Sequence, residues 1–193
     1  VTVEAEPSPI PGCLLLHLFR HEDPRGGFQK LFERRAFAAL GMDTDVAEAY
    51  WSTSHRGVVR GLHFQLPPHH HAKTVVAVAG TVHDVVLDLR TDSPAFGTHA
   101  AFTLDAAAGL AVHVPAGCAH GFQALTEGAG VAYLVSTEHA PDHDTGVRWD
   151  SAGIAWPLPP TVISDRDAGL PRLADFDSPF RLLRPGPDPE GPR

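Results

Sequence analysis

Glycine and proline, 18 of each in 193 residues, interrupt this chain so often that long helices have no room to form. What they leave between them are short runs rich in Val, Leu and Ala, at residues 75–78, 81–89, 101–104, 110–114 and 131–135. Runs of that length and composition, bounded by Gly, Pro or Asp, read as β-strands. In 81–89 the apolar positions interleave with His83, Asp84 and Asp88, so polar groups are expected to project from one face into solvent or a lined cavity. The only helical signal is a short amphipathic stretch at 33–40 that stops at Gly41. The expected fold is therefore all-β: one closed or sandwiched antiparallel domain with one or two short helices, spanning residues 1–182. The last residues, 183–193, are Pro, Gly and charge with little to bury and are expected to form a disordered tail.

Charge narrows the partners. A net charge of −8 with His neutral repels phosphate backbones and anionic membranes, so neither nucleic acid nor a membrane is an expected partner. A small anionic ligand remains compatible where Arg and Lys gather locally. The two cysteines, Cys13 and Cys118, each sit in an apolar stretch and make no disulfide framework. No basic segment followed by an apolar run opens the chain. Both features point to the cytoplasm.

Charged and titratable groups embedded in apolar runs need partners, because an unpaired buried charge is costly. Asp88 and Arg90 are expected to satisfy each other. Arg60 and His63 in Gly57-Val-Val-Arg-Gly-Leu-His-Phe-Gln65 are an odd number of residues apart, which in a regular strand sends them to opposite faces. They share a site only if Gly61 marks a bulge or bend.

Taken together and in order, these motifs resemble the dTDP-4-dehydrorhamnose 3,5-epimerase family of the cupin superfamily. The matching pieces are Asp23-Pro-Arg25-Gly26, the segment 52–54, Gly57 to Gln65, Lys73, the stretch from Asp84 to Gly97, Val114-Pro-Ala-Gly-Cys-Ala-His120-Gly-Phe122, Tyr133, Trp149, Trp156-Pro157 and Ser164-Asp-Arg-Asp167. The resemblance implies a double-stranded β-helix (jelly-roll) barrel, usually a homodimer. It implies an enzyme that inverts centres beside the C4 ketone of a nucleoside-diphosphate 4-keto-6-deoxyhexose and needs no cofactor. Carried over by motif, His63 is the base, Tyr133 the acid and Asp167 the carboxylate that orients the histidine. Lys73 and His120 surround the keto oxygen and the sugar. Arg25, Arg60 and Arg166 fall at substrate-binding positions. The base-binding positions differ from the family pattern: the usual Gln and Asn are Glu48 and Tyr50, and the usual acidic residue is Lys30, with Gln29 before it. The stacking aromatic is His139 and the usual Glu is Asp144. Cytosine and guanine both carry N–H donors that suit a carboxylate such as Glu48. A CDP- or GDP-linked sugar is thus an alternative to the dTDP sugar, and inversion of C3 alone an alternative to inversion of both centres.

The chemistry asks for these residue types on its own account. A proton leaves carbon beside a ketone only if a base reaches it and the enolate oxygen is stabilised. Two readings from other classes compete. A metal-dependent cupin would recruit His69, His71 and His120, but the slot where such proteins carry a Glu ligand holds Lys73, whose ammonium repels a divalent cation. A non-catalytic sugar-nucleotide-binding barrel would have no use for His63, Lys73, Tyr133 and Asp167 together.

Overall fold

The computed structural model describes residues 3–182; the tail at 183–193 lies outside the described residues. Its strands are β1 (Glu4–Pro7), β2 (Leu14–His17), β3 (Arg20–Asp23), β4 (Gly26–Gln29), β5 (Glu48–Ser54), β6 (Val59–Gln65), β7 (Lys73–Ala79), β8 (Thr81–Asp88), β9 (His99–Asp105), β10 (Leu110–Val114), β11 (Cys118–Ala124), β12 (Ala129–Val135) and β13 (Asp144–Gly146). Two short helices are present, α1 (Arg34–Ala39) and α2 (Asp165–Ala168). The helical reading of 33–40 holds because Glu33 caps α1, its carboxylate accepting the N–H groups of Arg35 and Ala36.

A six-stranded sheet, β1-β2-β10-β7-β12-β5, faces a five-stranded sheet, β13-β6-β11-β8-β9, and β3 and β4 form a separate hairpin. Pairing is antiparallel throughout. The two sheets enclose an apolar core built from Val75 and Ala77 of β7, Val82 and Val86 of β8, Val112 and Val114 of β10, Phe122 of β11 and Val131 of β12. This is the double-stranded β-helix the resemblance implies.

The outer faces are covered too. Leu16, Val76 and Ala111 pack under Phe37 of α1, while Val85 and Leu87 pack with Phe64 and Phe180. Central strands are buried on both sides for this reason, and their unbroken apolar runs follow from it. One expectation needs correcting. Asp84 and Asp88 lie on the inner face of β8 with Val82 and Val86, but His83, one residue out of phase, lies on the outer face against Trp156.

Asp88 and Arg90 pair as expected: Arg90 Nε donates to Asp88 Oδ1 at 2.8 Å and Nη2 to Oδ2 at 2.7 Å, both side chains being buried. Ser93 Oγ donates to the same carboxylate at 2.6 Å, and Arg90 Nη2 also reaches the Pro11 carbonyl at 2.9 Å. The cluster staples the end of β8 to the segment before β2. Asp88→Ala leaves the guanidinium buried without its carboxylate and is expected to cost about 3–5 kcal/mol in urea unfolding. A loss under about 1 kcal/mol would show that water reaches Arg90.

Candidate active site

The open end of the barrel holds a cavity of about 530 Å³ between the two sheets. Both Arg60 and His63 line it, despite their odd spacing in β6. Gly61 makes this possible. Its φ of +120° belongs to the region only glycine visits readily, and the β6–β11 register slips between His120 and Phe122. A Cβ at Gly61 would stand 2.7 Å from Gly121 Cα and 2.8 Å from the His120 carbonyl oxygen, so no other residue fits.

His63 Nε2 lies 2.6 Å from Asp167 Oδ1, and the other carboxylate oxygen accepts the Gly61 N–H at 3.0 Å. Asp167 sits in α2, whose N-cap Ser164 accepts the Asp167 N–H at 3.1 Å. Burial pushes the Asp167 carboxyl pKa up, but the hydrogen bonds from His63 and Gly61 outweigh it and hold the pKa below the usual carboxylate range. An ionised Asp167 assigns the proton to His63 Nε2. Nδ1 is left as the basic nitrogen of a cavity-lining imidazole.

The facing sheet supplies Tyr133 from β12 and Lys73 from the start of β7, both buried and both at the cavity. Burial, with Asp84 and Tyr50 nearby, pushes the Tyr133 phenol well above its ordinary value, so it enters any reaction as a neutral proton donor. Burial lowers the Lys73 pKa to about 8, the carboxylates of Asp144 and Asp84 pulling the other way. Its ammonium donates to the His63 carbonyl oxygen at 3.3 Å. His120, opposite His63 in the β6–β11 pairing, is tied by Nε2 to Asp84 Oδ2 at 2.7 Å in full burial.

The remaining expected binding residues divide. Glu48, Tyr50, His139, Asp144 and Arg166 line the same cavity. Glu48 Oε1 accepts the His139 backbone N–H at 2.9 Å, and Arg166 pairs with Asp144 at 2.9 Å. Arg25, Gln29 and Lys30 do not line it. Arg25 lies at the tip of the β3–β4 hairpin, its side chain 89% exposed and paired with Asp23, because the hairpin stands apart from both sheets. Gln29 lines a separate hollow with Arg20 and Asp105.

Three polar lining residues, Ser52, Gln65 and Thr137, were not among the expected site residues, and His71 was expected only as a metal ligand. Gln65 and Ser52 fell inside matched segments, which was the available signal. Gln65 Oε1 accepts the Ala140 N–H at 2.7 Å, so its amide nitrogen faces His71 Nδ1 at 3.0 Å as a donor. Burial drops the His71 pKa to about 3, and the ring is neutral. His69 instead packs at a tilt against His143, with ring centroids 4.5 Å apart, and does not line the cavity. The three histidines of the metal reading thus have separate occupations, and among the described residues no three His, Cys, Asp or Glu side chains group as a metal site.

Known proteins show the same arrangement of chain. The family model described as dTDP-4-dehydrorhamnose 3,5-epimerase matches residues 7–175. A protein of that name from Streptomyces griseus is 41% identical over 177 residues, covering 89% of this chain and 87% of its own. A dTDP-4-dehydro-6-deoxyglucose 3-epimerase from Streptomyces bikiniensis is 39% identical over 159 residues, covering 80% and 81%. Among solved structures, NovW, a 4-keto-6-deoxy sugar epimerase from the novobiocin gene cluster of Streptomyces spheroides, superposes with a TM-score of 0.85 at 37% identity, covering 90% of this chain and 89% of that one. The match takes in every residue of the cavity, and by it the chain belongs to the dTDP-4-dehydrorhamnose 3,5-epimerase family.

Proposed function

We propose that this chain inverts C3 and C5 of dTDP-4-keto-6-deoxyglucose through an enolate, with no cofactor. The observation that carries the reading is the placement of a carboxylate-oriented imidazole, His63, on one sheet and a buried phenol, Tyr133, on the facing one, across one cavity. Inversion needs a base on one side of the sugar ring and an acid on the other. His63 Nδ1 takes the proton from the carbon beside the ketone while Lys73, with His120 beside it, stabilises the oxygen on which charge develops. Tyr133 then protonates the same carbon from the opposite face.

Arg60 and Arg166 supply positive charge for the diphosphate, with Asp144 holding Arg166 in place. The relatives named for dTDP sugars support a dTDP sugar over the CDP or GDP alternative. Arg25, Gln29 and Lys30 act from the hairpin of a second copy in a homodimer, since they lie off the cavity of their own chain. Residues 1–182 form the working unit. An acidic chain with two buried thiols suits the cytoplasm, and no described helix is long and apolar enough to cross a membrane.

Proton NMR of dTDP-4-keto-6-deoxyglucose in D2O with the protein tests this. Loss of both the C3 and C5 proton signals is expected; loss at C3 alone would reduce the protein to a monoepimerase. Exchange with the CDP or GDP sugar and not with the dTDP sugar would overturn the nucleotide assignment.

A further inference from the structure

Tyr50 stands opposite Tyr133 in the antiparallel pairing of β5 and β12, and the two rings stack with centroids 4.9 Å apart and an interplanar angle of 23°. On another side the Tyr133 ring meets the edge of His120 at 5.9 Å and 76°. His120 is itself fixed by Asp84. The phenol is thus held between an immobile imidazole and a second aromatic ring that reaches the mouth of the cavity. Tyr133 is buried, whereas Tyr50 is 46% exposed and belongs to an edge strand. Tyr50 is the support that can be removed without opening the core.

The geometry points to Tyr50 as a positioning residue that clamps the Tyr133 ring and so sets how often an enolate is protonated with inversion. This inference rests on the epimerase reading and concerns what happens after the proton has left. When His63 Nδ1 takes the proton, the C–H electron pair moves into the ketone and the oxygen becomes an enolate. Two donors then compete to remake the C–H bond. Tyr133 O–H delivers from the far face, the electrons return to re-form the ketone, and the phenolate regains its proton from water; the product is inverted. The imidazolium delivers from the near face, and the carbon keeps its configuration. In D2O, where the imidazolium proton has been replaced by solvent deuterium, the second route labels the substrate without inverting it. Stacking restricts the swing about the Tyr133 Cα–Cβ bond that would carry its hydroxyl away from the carbon. Losing the stack shifts the partition toward labelling with retention.

The test uses the full chain and its Tyr50→Ala and Tyr50→Phe variants, with dTDP-4-keto-6-deoxyglucose in D2O. It measures the ratio of deuterium incorporated with retention to product inverted. Tyr50→Ala is expected to raise that ratio on the order of three- to tenfold, the size expected for one stacked aromatic pair. Tyr50→Phe keeps the ring and is expected to stay within about twofold of the parent. An unchanged ratio in Tyr50→Ala overturns the clamp. An equal rise in Tyr50→Phe also overturns it, by transferring the role to the Tyr50 hydroxyl. A second readout needs no turnover. The chain has two tyrosines, so either variant labelled with 3-fluorotyrosine gives a fluorine signal from Tyr133 alone. That signal is expected to shift and broaden in Tyr50→Ala relative to Tyr50→Phe. Matching signals in the two variants would dispose of the clamp, whereas a distinct pair of signals with no exchange in the parent protein would fault the reaction assigned to the site and leave the clamp standing.

Discussion

His63→Ala is expected to slow exchange of both the C3 and C5 protons roughly a thousandfold, within the range that a positioned general base contributes. The loss follows from the orientation of His63: Asp167 accepts its Nε2–H at 2.6 Å and also accepts the Gly61 N–H at 3.0 Å. Asp167→Asn is expected to lose less, because the imidazole remains and only its tautomer and imidazolium are less favoured. Added imidazole is expected to restore part of the His63→Ala rate, since truncation leaves a space of its shape at the cavity wall. The measurement is the decay of the two proton signals in D2O. Exchange in His63→Ala at more than about a tenth of the parent rate would move the base elsewhere. If the parent itself exchanges neither proton with any nucleotide tested, the non-catalytic barrel becomes the better account.

The apolar strands were legible because covering both outer faces makes β7, β8, β10 and β12 nearly continuous in Val, Leu and Ala. β5, β6 and β11, which supply most of the cavity lining, were not. β11 reads Cys-Ala-His-Gly-Phe-Gln-Ala, and every residue of it is buried, but the polar groups that make it useful hide its period. β5 presents Trp51 at 67% exposure and Tyr50 at an edge, so its pattern reports no core. Motif order located His63, Lys73, Tyr133 and Asp167 although 104 residues separate His63 from Asp167. Motif order says nothing about which hairpin folds away from the cavity, and so it grouped Arg25, Gln29 and Lys30 with residues their own chain does not bring to them. Gly61 was the readable sign that Arg60 and His63 share the cavity, since only a residue without a Cβ passes Gly121 there. Nothing in the spacing announced the Tyr50–Tyr133 stack, which depends on the β5–β12 register.

Lys73→Met is expected to make the protein more stable and far less active, and the two effects share one cause. The Lys73 ammonium is buried among groups that only partly compensate its desolvation, so its pKa falls from 10.5 in the open chain to about 8 in the fold. A lysine whose folded pKa lies below its unfolded value costs stability wherever both states are charged. That cost is fully present below about pH 8 and is relieved as pH rises from about 8 to about 10.5. A shift of this size corresponds to about 3 kcal/mol near pH 7. Lys73→Met, similar in length and without charge, is expected to unfold at higher urea than the parent at pH 7, the gap closing as pH approaches 10. Catalysis pulls the other way. Loss of the cation beside the developing enolate is expected to slow exchange roughly a hundredfold to a thousandfold, as removal of one preorganised donor does. In the parent the rate is expected to fall on the alkaline side above about pH 8 as Lys73 loses its proton. The residual activity of Lys73→Met should lose this alkaline limb. An alkaline limb that persists in the variant would assign that titration to another group. A variant no more stable than the parent at pH 7 would mean that the ammonium is better solvated by Asp84, Asp144 and the His63 carbonyl than its burial implies.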